Sequence, residues 1–323
     1  MVKAIVLFSG GLDSILAVRL IQKQNIDVTG VTFTTPFFNA VKAQEAAKQI
    51  RLPLMILDIT EEHLHMLRSP RYGYGKNMNP CIDCHTLMLK IAGGIMENKG
   101  YDFLATGEVL GQRPMSQTKQ SLYIVAKNSG YADHILRPLS AQLLDPVKAE
   151  REGKIDRSGL LAISGRGRKD QMQLAEAWGI RHYPPPAGGC LLTDPIFSRR
   201  LRDLMSHGED RQVRDYELLR YGRHFRVEGA VKIIVGRNKS DNEALRELTA
   251  NGDVVCNMAD FPGPYVLVPY GSETAIAAAA ALCVRYSDAP EDREAQVVCL
   301  SKNKSVTIKT KATPRLDSER WII

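Results

Sequence analysis

The residues best placed to do chemistry in this 323-residue chain form the run Ser9-Gly10-Gly11-Leu12-Asp13-Ser14. Two adjacent glycines let a backbone turn sharply and approach an anion, and serine hydroxyls stand on either side of them. A predicted strand, Val2 to Leu7, precedes the run, and a predicted helix from Leu12 to about Lys23 would point its N-terminal N–H groups at the anion. The run therefore predicts a phosphate cradle. The alternative is an ordinary strand-to-helix turn that contains two glycines.

Three of the six cysteines stand where thiols can bind a metal or carry sulfur. Cys81 and Cys84 lie three positions apart at a predicted helix start, where the helix dipole favours the thiolate. Alone, this spacing fits a redox disulfide, half of a zinc site or coincidence. Cys190 follows Gly188-Gly189, a context that permits close backbone approach and is unusual for a buried structural cysteine. The other three have apolar neighbours and are assigned no chemistry: Cys256, Cys283 and Cys299.

Alternating strands and helices predict how these residues are positioned. After the first strand and helix, the pattern predicts further strands and helices that alternate as far as residue 139. This alternation predicts a doubly wound parallel α/β sheet, whose ligands bind outside the carboxyl ends of the strands. The predicted elements are strands 27–33, 53–59, 102–107 and 135–139, with helices 40–50 and 82–98. The candidate nucleotide contacts at those ends, each of which also fits a plain surface loop, are the backbone from Thr32 to Thr34, the turn Thr106-Gly107-Glu108, and Gln112, Arg113 and Ser116.

The second part of the chain has a different texture. Residues 1–195 are predicted to form the catalytic domain, and residues 196–323 a smaller α+β domain. The segment Tyr183–Cys190 is rich in proline and glycine, and we favour a loop folded over a site rather than a linker. The elements predicted beyond it are a basic helical stretch 197–220, strands 231–235, 254–258 and 265–268, and an alanine-rich helix 272–281.

Composition narrows the protein class. The chain is 44% hydrophobic and 24% charged, which is typical of a globular protein with a substantial core. No apolar run reaches about 18 residues, so we expect no membrane span, no signal peptide and a cytoplasmic location. The formal net charge of +7 lies within residues 1–200, and residues 201–323 are neutral overall. A basic excess favours a polyanionic partner, although solvated lysines alone would give the same total.

The Ser-Gly-Gly-x-Asp-Ser run lacks both the Walker and the Rossmann glycine patterns and resembles the PP-loop of ATP pyrophosphatases. This family cleaves ATP between the α and β phosphates and activates an oxygen of a second substrate as its adenylate. The resemblance implies ATP and Mg²⁺ as cofactors. It implies cofactor binding by Ser9, Gly10, Gly11, Asp13 and Ser14, to which the position at strand ends adds Thr32, Thr106 and Gly107.

Asn-Pro-Cys-x-x-Cys downstream of such a loop, with one later Gly-Cys, resembles the tRNA thiouridylases that make 4-thiouridine or 2-thiouridine. The resemblance covers most of residues 1–195. In cluster-dependent members three cysteines hold a [4Fe-4S] cluster, and in cluster-free members two of them act as nucleophile and persulfide carrier. Cys81, Cys84 and Cys190 match the three-cysteine pattern, so the resemblance implies that they are metal-binding and, with Asp13, catalytic. It also implies tRNA as substrate and either free sulfide or a cysteine desulfurase as sulfur donor.

Residues 205–310 resemble the RNA-binding domain of NFACT proteins. The resemblance is carried by Val235-Gly236-Arg237-Asn238-Lys239 and by Gly252-Asp253 and Phe261-Pro262-Gly263-Pro264-Tyr265. The histidine and aromatic positions of that domain are Cys256-Asn257-Met258 here, so the ligand surface differs. The alternative is a domain that covers the active site or makes a homodimer. The arginines predicted to help dock RNA are Arg199, Arg200, Arg202, Arg211 and Arg214.

The first functional hypothesis is therefore ATP-dependent tRNA thiolation with a three-cysteine iron–sulfur cluster. A second is an ATP pyrophosphatase that transfers sulfur or nitrogen to a small molecule. A third is an RNA-binding protein whose PP-loop fold no longer consumes ATP. The sequence leaves open the modified nucleotide, the sulfur donor and the oligomeric state.

Overall fold

The computed structural model describes residues 1–185, 189–228, 230–271, 275–301 and 304–323 and divides the chain into two compact units. The first unit is residues 1–193 and the second is residues 194–323. The middle of the predicted loop Tyr183–Cys190, residues 186–188, lies outside the described residues. In the part of the chain that is described, no helix combines the length and the apolar character needed to cross a membrane.

The first unit is built on a five-stranded, fully parallel sheet. Its order, β3-β2-β1-β4-β5, confirms the α/β fold predicted from the alternation of strands and helices. The strand β5 is only two residues long, because Arg137 and Pro138 follow it and proline has no N–H for a ladder. The strands are β1 (Lys3–Leu7), β2 (Asp27–Thr34), β3 (Leu54–Asp58), β4 (Phe103–Thr106) and β5 (Ile135–Leu136).

Helices cover both faces of this sheet. The helices are α1 (Leu12–Gln22), α2 (Val41–Ile50), α3 (Thr60–Arg68), α4 (Cys81–Lys99), α5 (Lys119–Ser129), α6 (Lys148–Arg151) and α7 (Lys169–Ala177). One apolar core joins α1, α2 and α7 to one face of the strands, and a second core joins α4 and α5 to the other face. Burial on two faces explains why β1 and β4 read as continuous apolar runs.

The order in which the chain adds strands to the sheet changes sides at β1. It adds β2 and β3 on one side of β1, then crosses to add β4 and β5 on the other side. Such a topological switch leaves a crevice at the carboxyl ends of the two strands that flank it, here β1 and β4. Both the glycine turn after β1 and the turn after β4 therefore open into one crevice.

The second unit contains a six-stranded antiparallel sheet of order β11-β10-β8-β9-β7-β6. Its strands are β6 (Arg223–Val227), β7 (Val231–Val235), β8 (Val254–Met258), β9 (Val266–Val268), β10 (Ala295–Ser301) and β11 (Lys304–Thr310). Its helices are α8 (Pro195–Ser206), α9 (Val213–Leu218), α10 (Lys239–Glu247), α11 (Ile276–Arg285) and α12 (Arg315–Trp321). This unit is the α+β fold that the sequence predicts.

Two helices of the second unit differ from the predictions. The stretch 197–220 is not one helix, because α8 ends at Ser206 and Gly208 follows with a positive φ of 60°. The alanine-rich helix is α11, which runs to Arg285, past the predicted end at Ala281. Its predicted first residues, 272–274, lie outside the described residues. Alanines and Cys283 of α11 pack against the sheet in a single apolar core.

Candidate functional site

The turn between β1 and α1 has the geometry of an anion site. Gly10 has a φ of +75°, and a Cβ added there would lie 2.3 Å from the carbonyl oxygen of Lys42, so only glycine fits. The Ser14 hydroxyl donates to the Gly11 carbonyl at 2.8 Å, and the Gly11 N–H donates to the Ser9 hydroxyl at 3.4 Å. No side chain of the described residues caps α1. Its first N–H groups are therefore available to an anion.

Asp13 places a carboxylate in the first turn of the same helix. Its Oδ2 accepts a hydrogen bond from Gln112 Nε2 at 3.2 Å, and its Oδ1 is buried and has no partner among the described residues. Burial raises the pKa of Asp13, while Gln112 and the positive charges of Arg168 and Arg113 act in the opposite direction. An orphaned carboxylate oxygen beside a phosphate cradle is a suitable ligand for Mg²⁺. The donor set therefore fits that ion.

The turn after β4 packs directly on the start of α1. A Cβ added to Gly107 would lie 2.5 Å from the backbone nitrogen of Ser14. The side chains of Thr106 and Thr32 are both buried, and the Thr106 hydroxyl donates to Glu108 at 3.1 Å. Thr32 lies within β2, two residues before that strand ends. Gly107 therefore sets the depth of the crevice, and Thr32 would meet a ligand through its backbone.

Cys81 and Cys84 both lie in the first turn of α4, one helical turn apart. Asn79 Nδ2 donates to Cys81 Sγ at 3.2 Å, and the Asn79 Oδ1 accepts from the Asn77 N–H at 3.2 Å. The Cys84 Sγ lies 3.5 Å from His63 Nε2. The loop before α4 is thus shaped around the Cys81 sulfur, and α3 supplies a neighbour for the Cys84 sulfur.

Cys190 is tied to the same loop although it is distant in sequence. The Asn77 Nδ2 donates to the Thr193 carbonyl at 2.7 Å, and the Thr193 hydroxyl donates to the Cys190 carbonyl at 2.7 Å. The next residue, Leu191, donates its N–H to the Phe37 carbonyl at 3.0 Å. These bonds hold the segment after Cys190 against the loop that leads into α4 and against the chain just beyond β2.

Cys84 and Cys190 differ from the sequence expectation, because the pKa of each thiol is raised. Burial raises the pKa of Cys84 well above its usual range, and the neighbouring Cys190 and Cys81 raise it further. Burial also raises the pKa of Cys190 to about 11. The helix dipole was expected to favour thiolate, but desolvation outweighs it for Cys84. Each cysteine lies close enough to the others for their charges to interact, which brings the three predicted thiols into one region.

A single-ion site is absent from the described residues, where no group of three or more His, Cys, Asp or Glu side chains can hold one metal ion. The three remaining cysteines are buried in the second unit. Cys256 and Cys299 face each other across β8 and β10.

Two groups near the cysteines were missed or underrated by sequence reasoning. His63 is fully buried between Phe37 and Phe38, and burial lowers its pKa to about 4. Glu108 contacts two basic side chains: its carboxylate accepts a hydrogen bond from Arg137 Nε at 3.0 Å and pairs with His85 Nδ1 at 2.9 Å. The contacts of His63 and of Glu108 have no signal in the local sequence, because they join residues from separate parts of the chain.

Other predicted residues take various places. Arg113 is exposed and Ser116 is buried in the loop between β4 and α5. In the second unit Arg200 is buried and donates to the Leu219 and Gly222 carbonyls, so it is structural rather than an RNA contact. Arg214 is likewise engaged, by Asp253. The arginines of the predicted set that remain exposed are Arg199, Arg202 and Arg211.

In the loop after β7, two of the three polar residues that carry the NFACT resemblance are engaged within the protein. Arg237 pairs with Asp241, and Asn238 caps α10 by accepting the Asp241 N–H at 2.9 Å. The Lys239 side chain remains exposed, and its Nζ lies 3.8 Å from Oε1 of Glu243. Of these three, Lys239 is the one best placed for phosphate.

Comparison with known proteins agrees with the resemblance of the first part of the chain to tRNA thiouridylases and with that of the second part to the NFACT RNA-binding domain. Residues 1–145 match the family model described as thiamine biosynthesis protein (ThiI), and residues 222–322 match the model of the NFACT protein RNA binding domain. These matches confirm the two resemblances that the sequence motifs predict.

The chain is similar to curated tRNA-modifying proteins over less than half of its length. It is 31% identical over 148 residues to a probable tRNA sulfurtransferase of Thermoanaerobacter sp. (strain X514), a match that covers 42% of this chain and 36% of that protein. It is 27% identical over 168 residues to the tRNA-specific 2-thiouridylase MnmA of Helicobacter hepaticus, covering 45% of this chain and 48% of that protein. The chain thus spans between about a third and a half of these relatives' length.

Among solved structures, a 4-thiouridine synthetase in complex with RNA and bound ATP aligns with 67% of this chain and 52% of its own. The sequence identity is 21% and the TM-score is 0.39.

Proposed function

We propose that this protein is an ATP-dependent tRNA sulfurtransferase that adenylates a uridine carbonyl oxygen and replaces it with sulfur. The observation that carries the proposal is the tie between the Cys190 segment and the Asn77–Cys81 loop, in the same unit as the glycine turn at the start of α1. The reaction needs a site for the phosphates of ATP and a group that delivers sulfur, and the glycine turn and the cysteines are suited to these two tasks. The similarity of residues 1–145 to tRNA sulfurtransferases supports it.

The reaction needs ATP because a uracil carbonyl has no leaving group. The carbonyl oxygen attacks the α-phosphorus, the α–β bond breaks, and pyrophosphate leaves. Sulfide then attacks the ring carbon, and AMP departs with the former carbonyl oxygen. The N-terminus of α1 is suited to hold the phosphates, because its N–H groups face the point where negative charge develops.

Asp13 and its neighbours have a defined part in this scheme. Its unpaired Oδ1 is the oxygen we expect to bind Mg²⁺ with the phosphates, and Gln112 fixes the orientation of the carboxylate. Arg113 and Arg168 act on the same carboxylate electrostatically and can offset phosphate charge. Gly107 keeps the crevice open beside Ser14.

We further propose that Cys81, Cys84 and Cys190 hold a [4Fe-4S] cluster. The hydrogen bonds that tie the Cys190 segment to the loop of Cys81 support this proposal, because they bring the cysteine that is distant in sequence to the loop of the other two. Burial raises the pKa of Cys84 and Cys190, so these two thiols need a nearby positive charge, such as that of bound iron, to become thiolates. When bound, such a cluster supplies an iron without a protein ligand, which can bind sulfide.

We expect the second unit to bind part of the substrate tRNA, because residues 222–322 are similar to an RNA-binding domain. Residues 201–323, which make up nearly all of that unit, have no net charge, so contacts of shape and backbone should outweigh long-range attraction. A target base inside a helical part of tRNA has to leave its stack to reach the crevice.

Anaerobic purification followed by iron and sulfide analysis tests the cluster. The wild-type protein should be brown with about four irons, and Cys81→Ala, Cys84→Ala and Cys190→Ala should each lose the colour. Cys283→Ala is the matched control, because it removes a buried thiol of the other unit and should keep the iron. A colourless wild-type protein that still thiolates tRNA would overturn the cluster and leave a persulfide route.

The activity itself is tested with unmodified tRNA, ATP and sulfide under the same conditions. We expect AMP and pyrophosphate to form only when tRNA is present, together with thiouridine detected by mass spectrometry of digested RNA. AMP formation that depends on a small sulfur or nitrogen acceptor instead of tRNA would replace this function by the small-molecule one. RNA binding without ATP consumption would contradict both.

A further inference from the structure

A cavity on the outer side of α7 is not used by the proposed chemistry. It has a volume of about 710 Å³, within the range of roughly 300–1,000 Å³ that ligand sites occupy. Residues of α7 spaced by three or four positions form one wall, and the chain after α7 forms the other. The lining residues are Arg168, Lys169, Met172, Gln173, Glu176, Ile180, Arg181 and Tyr183.

The charged residues that line this cavity have a positive sum. Arg168, Lys169 and Arg181 face a single carboxylate, that of Glu176. Lys169 and Arg181 are exposed, and none of the three cations makes an ion pair within the described part of the chain. The Arg168 Nε is buried and has no hydrogen-bond partner among the described residues. Unpaired cations in a concave surface attract a polyanion.

The cavity also has an apolar side. Ile180 is buried, Met172 is 53% exposed, and Tyr183 packs partly against the main core of this unit. Tyr183 is half-buried and lines the cavity, so part of its side chain is open to a flat group. Cations combined with an accessible aromatic ring are the features that bind single-stranded nucleic acid.

The position of the cavity links it to the nucleotide crevice. Ser164 forms an isolated parallel bridge with Leu110, and the Gly165 N–H donates to the Leu110 carbonyl at 2.8 Å. This contact holds the segment before α7 against the loop that carries Gln112, the hydrogen-bond partner of Asp13. Arg168 therefore lines the cavity at one end of α7, and its charge also acts on Asp13.

We infer that the α7 cavity binds the single-stranded stretch of substrate RNA next to the uridine that enters the crevice. Lys169 and Arg181 contact backbone phosphates, and one flanking base stacks on Tyr183. The inference rests on the proposed function, because it assumes an RNA substrate. It adds a specific RNA-binding surface within the catalytic unit, separate from the second unit.

Fluorescence anisotropy with a short uridine-rich single strand and with unmodified tRNA tests this inference. It needs neither ATP nor a cluster, so it is independent of thiolation. The double variant Lys169→Ala/Arg181→Ala should bind RNA about tenfold more weakly, and its log–log salt slope should fall by about 1.4, at roughly 0.7 per lost phosphate contact. Tyr183→Leu should weaken binding about fivefold or more with the slope unchanged, because stacking is uncharged.

The matched control is Lys48→Ala/Lys127→Ala, which removes two exposed lysines of α2 and α5 outside the cavity. It should bind RNA with nearly the wild-type slope. ATP affinity is measured in parallel and should be unchanged in all variants. Loss of ATP affinity with intact RNA binding would assign the cavity to the nucleotide and overturn the inference, as would wild-type RNA binding by the cavity variants.

The two proposals fail in different ways. A protein that thiolates tRNA while the cavity variants bind RNA normally refutes the cavity alone. A protein whose RNA binding depends on the cavity but which forms no thiouridine refutes the thiolation alone.

Discussion

Single residues set the shape of the crevice. Gly10 and Gly107 occupy places where a Cβ would collide with backbone atoms, of Lys42 and Ser14 respectively. The carboxylates of Asp13 and Glu108 differ in whether their oxygens have partners. Asp13 keeps an unpaired oxygen, whereas Glu108 is paired with Arg137 and His85. The unpaired group is suited to bind a ligand, and the paired group is suited to hold the fold.

Gly107→Ala should destabilise the protein by about 2 kcal/mol and weaken ATP binding. The new methyl would lie 2.5 Å from the Ser14 nitrogen, so β4 and α1 must move apart. Urea unfolding and calorimetric ATP titration measure the two effects. Gly94→Ala in α4 is the control, since nothing lies within 4 Å of its added Cβ. That variant should gain up to about 1 kcal/mol from helix propensity. Equal behaviour of the two variants would contradict the prediction.

Glu108→Gln should lower the free energy of unfolding at neutral pH by about 3 kcal/mol, because it leaves Arg137 buried without a charge partner. Burial alone would raise the pKa of Glu108, but Arg137 and His85 lower it to about 2.

The sign of the pH effect follows from that pKa. Because the folded-state value is below the ordinary 4.5, ionised Glu108 stabilises the fold above pH 4.5. This contribution is lost as the pH falls from 4.5 toward 2. Urea unfolding of both proteins across this range should show their difference shrinking. A difference that stays constant with pH would assign the effect to shape and not to charge.

At the scale of elements, the start of α4 brings the thiols together. Pro80 immediately precedes the helix, and the Asp83 carboxylate in the first turn accepts hydrogen bonds from the N–H groups of Arg71 and Tyr72, which fixes the preceding loop. Asn77 and Asn79 then connect that loop to Cys81 and to the segment of Cys190. One short loop thus orders two separate parts of the chain.

Asn77→Ala should loosen the Cys190 segment while leaving the glycine turn intact. Loss of its hydrogen bond to Thr193 costs about 1 kcal/mol, so Cys190 should react with iodoacetamide about fivefold faster in metal-free protein. Peptide mass spectrometry over time measures the rate, and ATP affinity should not change. Asn98→Ala, at an exposed position of α4, should alkylate at the wild-type rate. Unchanged reactivity of Cys190 in Asn77→Ala would show that other contacts hold the segment.

At the scale of the whole molecule, each unit has its own apolar cores. Each unit also contains one of the two tryptophans, Trp178 in the first and Trp321 in the second. Trp178 packs against the core that includes α1, with the Lys23 ammonium over its ring. Trp321 packs against the core of the antiparallel sheet. Fluorescence can therefore report on each unit separately.

ATP with Mg²⁺ should raise the thermal midpoint reported by Trp178 but not the one reported by Trp321. Ligand at about a hundred times its Kd adds about 2.7 kcal/mol to the unit that binds it. Single-tryptophan variants, Trp321→Phe for the first unit and Trp178→Phe for the second, separate the two signals. A midpoint shift of equal size in both variants would contradict binding confined to the first unit.

Much of the fold could be predicted because its signals are local. The buried strands, the two-faced burial of the parallel sheet and the glycine turn each leave a pattern within a few neighbouring residues. Predictions failed where burial decides the role of a residue. Arg200 belongs to a basic stretch, yet its guanidinium binds backbone carbonyls inside the second unit. The thiol of Cys84 lies at a helix start, yet desolvation raises its pKa.

The sequence by itself determined the parallel α/β architecture, the glycine turn from Ser9 to Ser14 and the three cysteines of the candidate site, because each depends on residue types at short spacing. Only the tertiary structure decided that Asn77 ties the Cys190 segment to the Cys81 loop, that His63 lies against Cys84, and that α7 forms a basic cavity. The physical reason is that contacts between distant segments and the burial they cause arise from packing, which no short window of sequence contains.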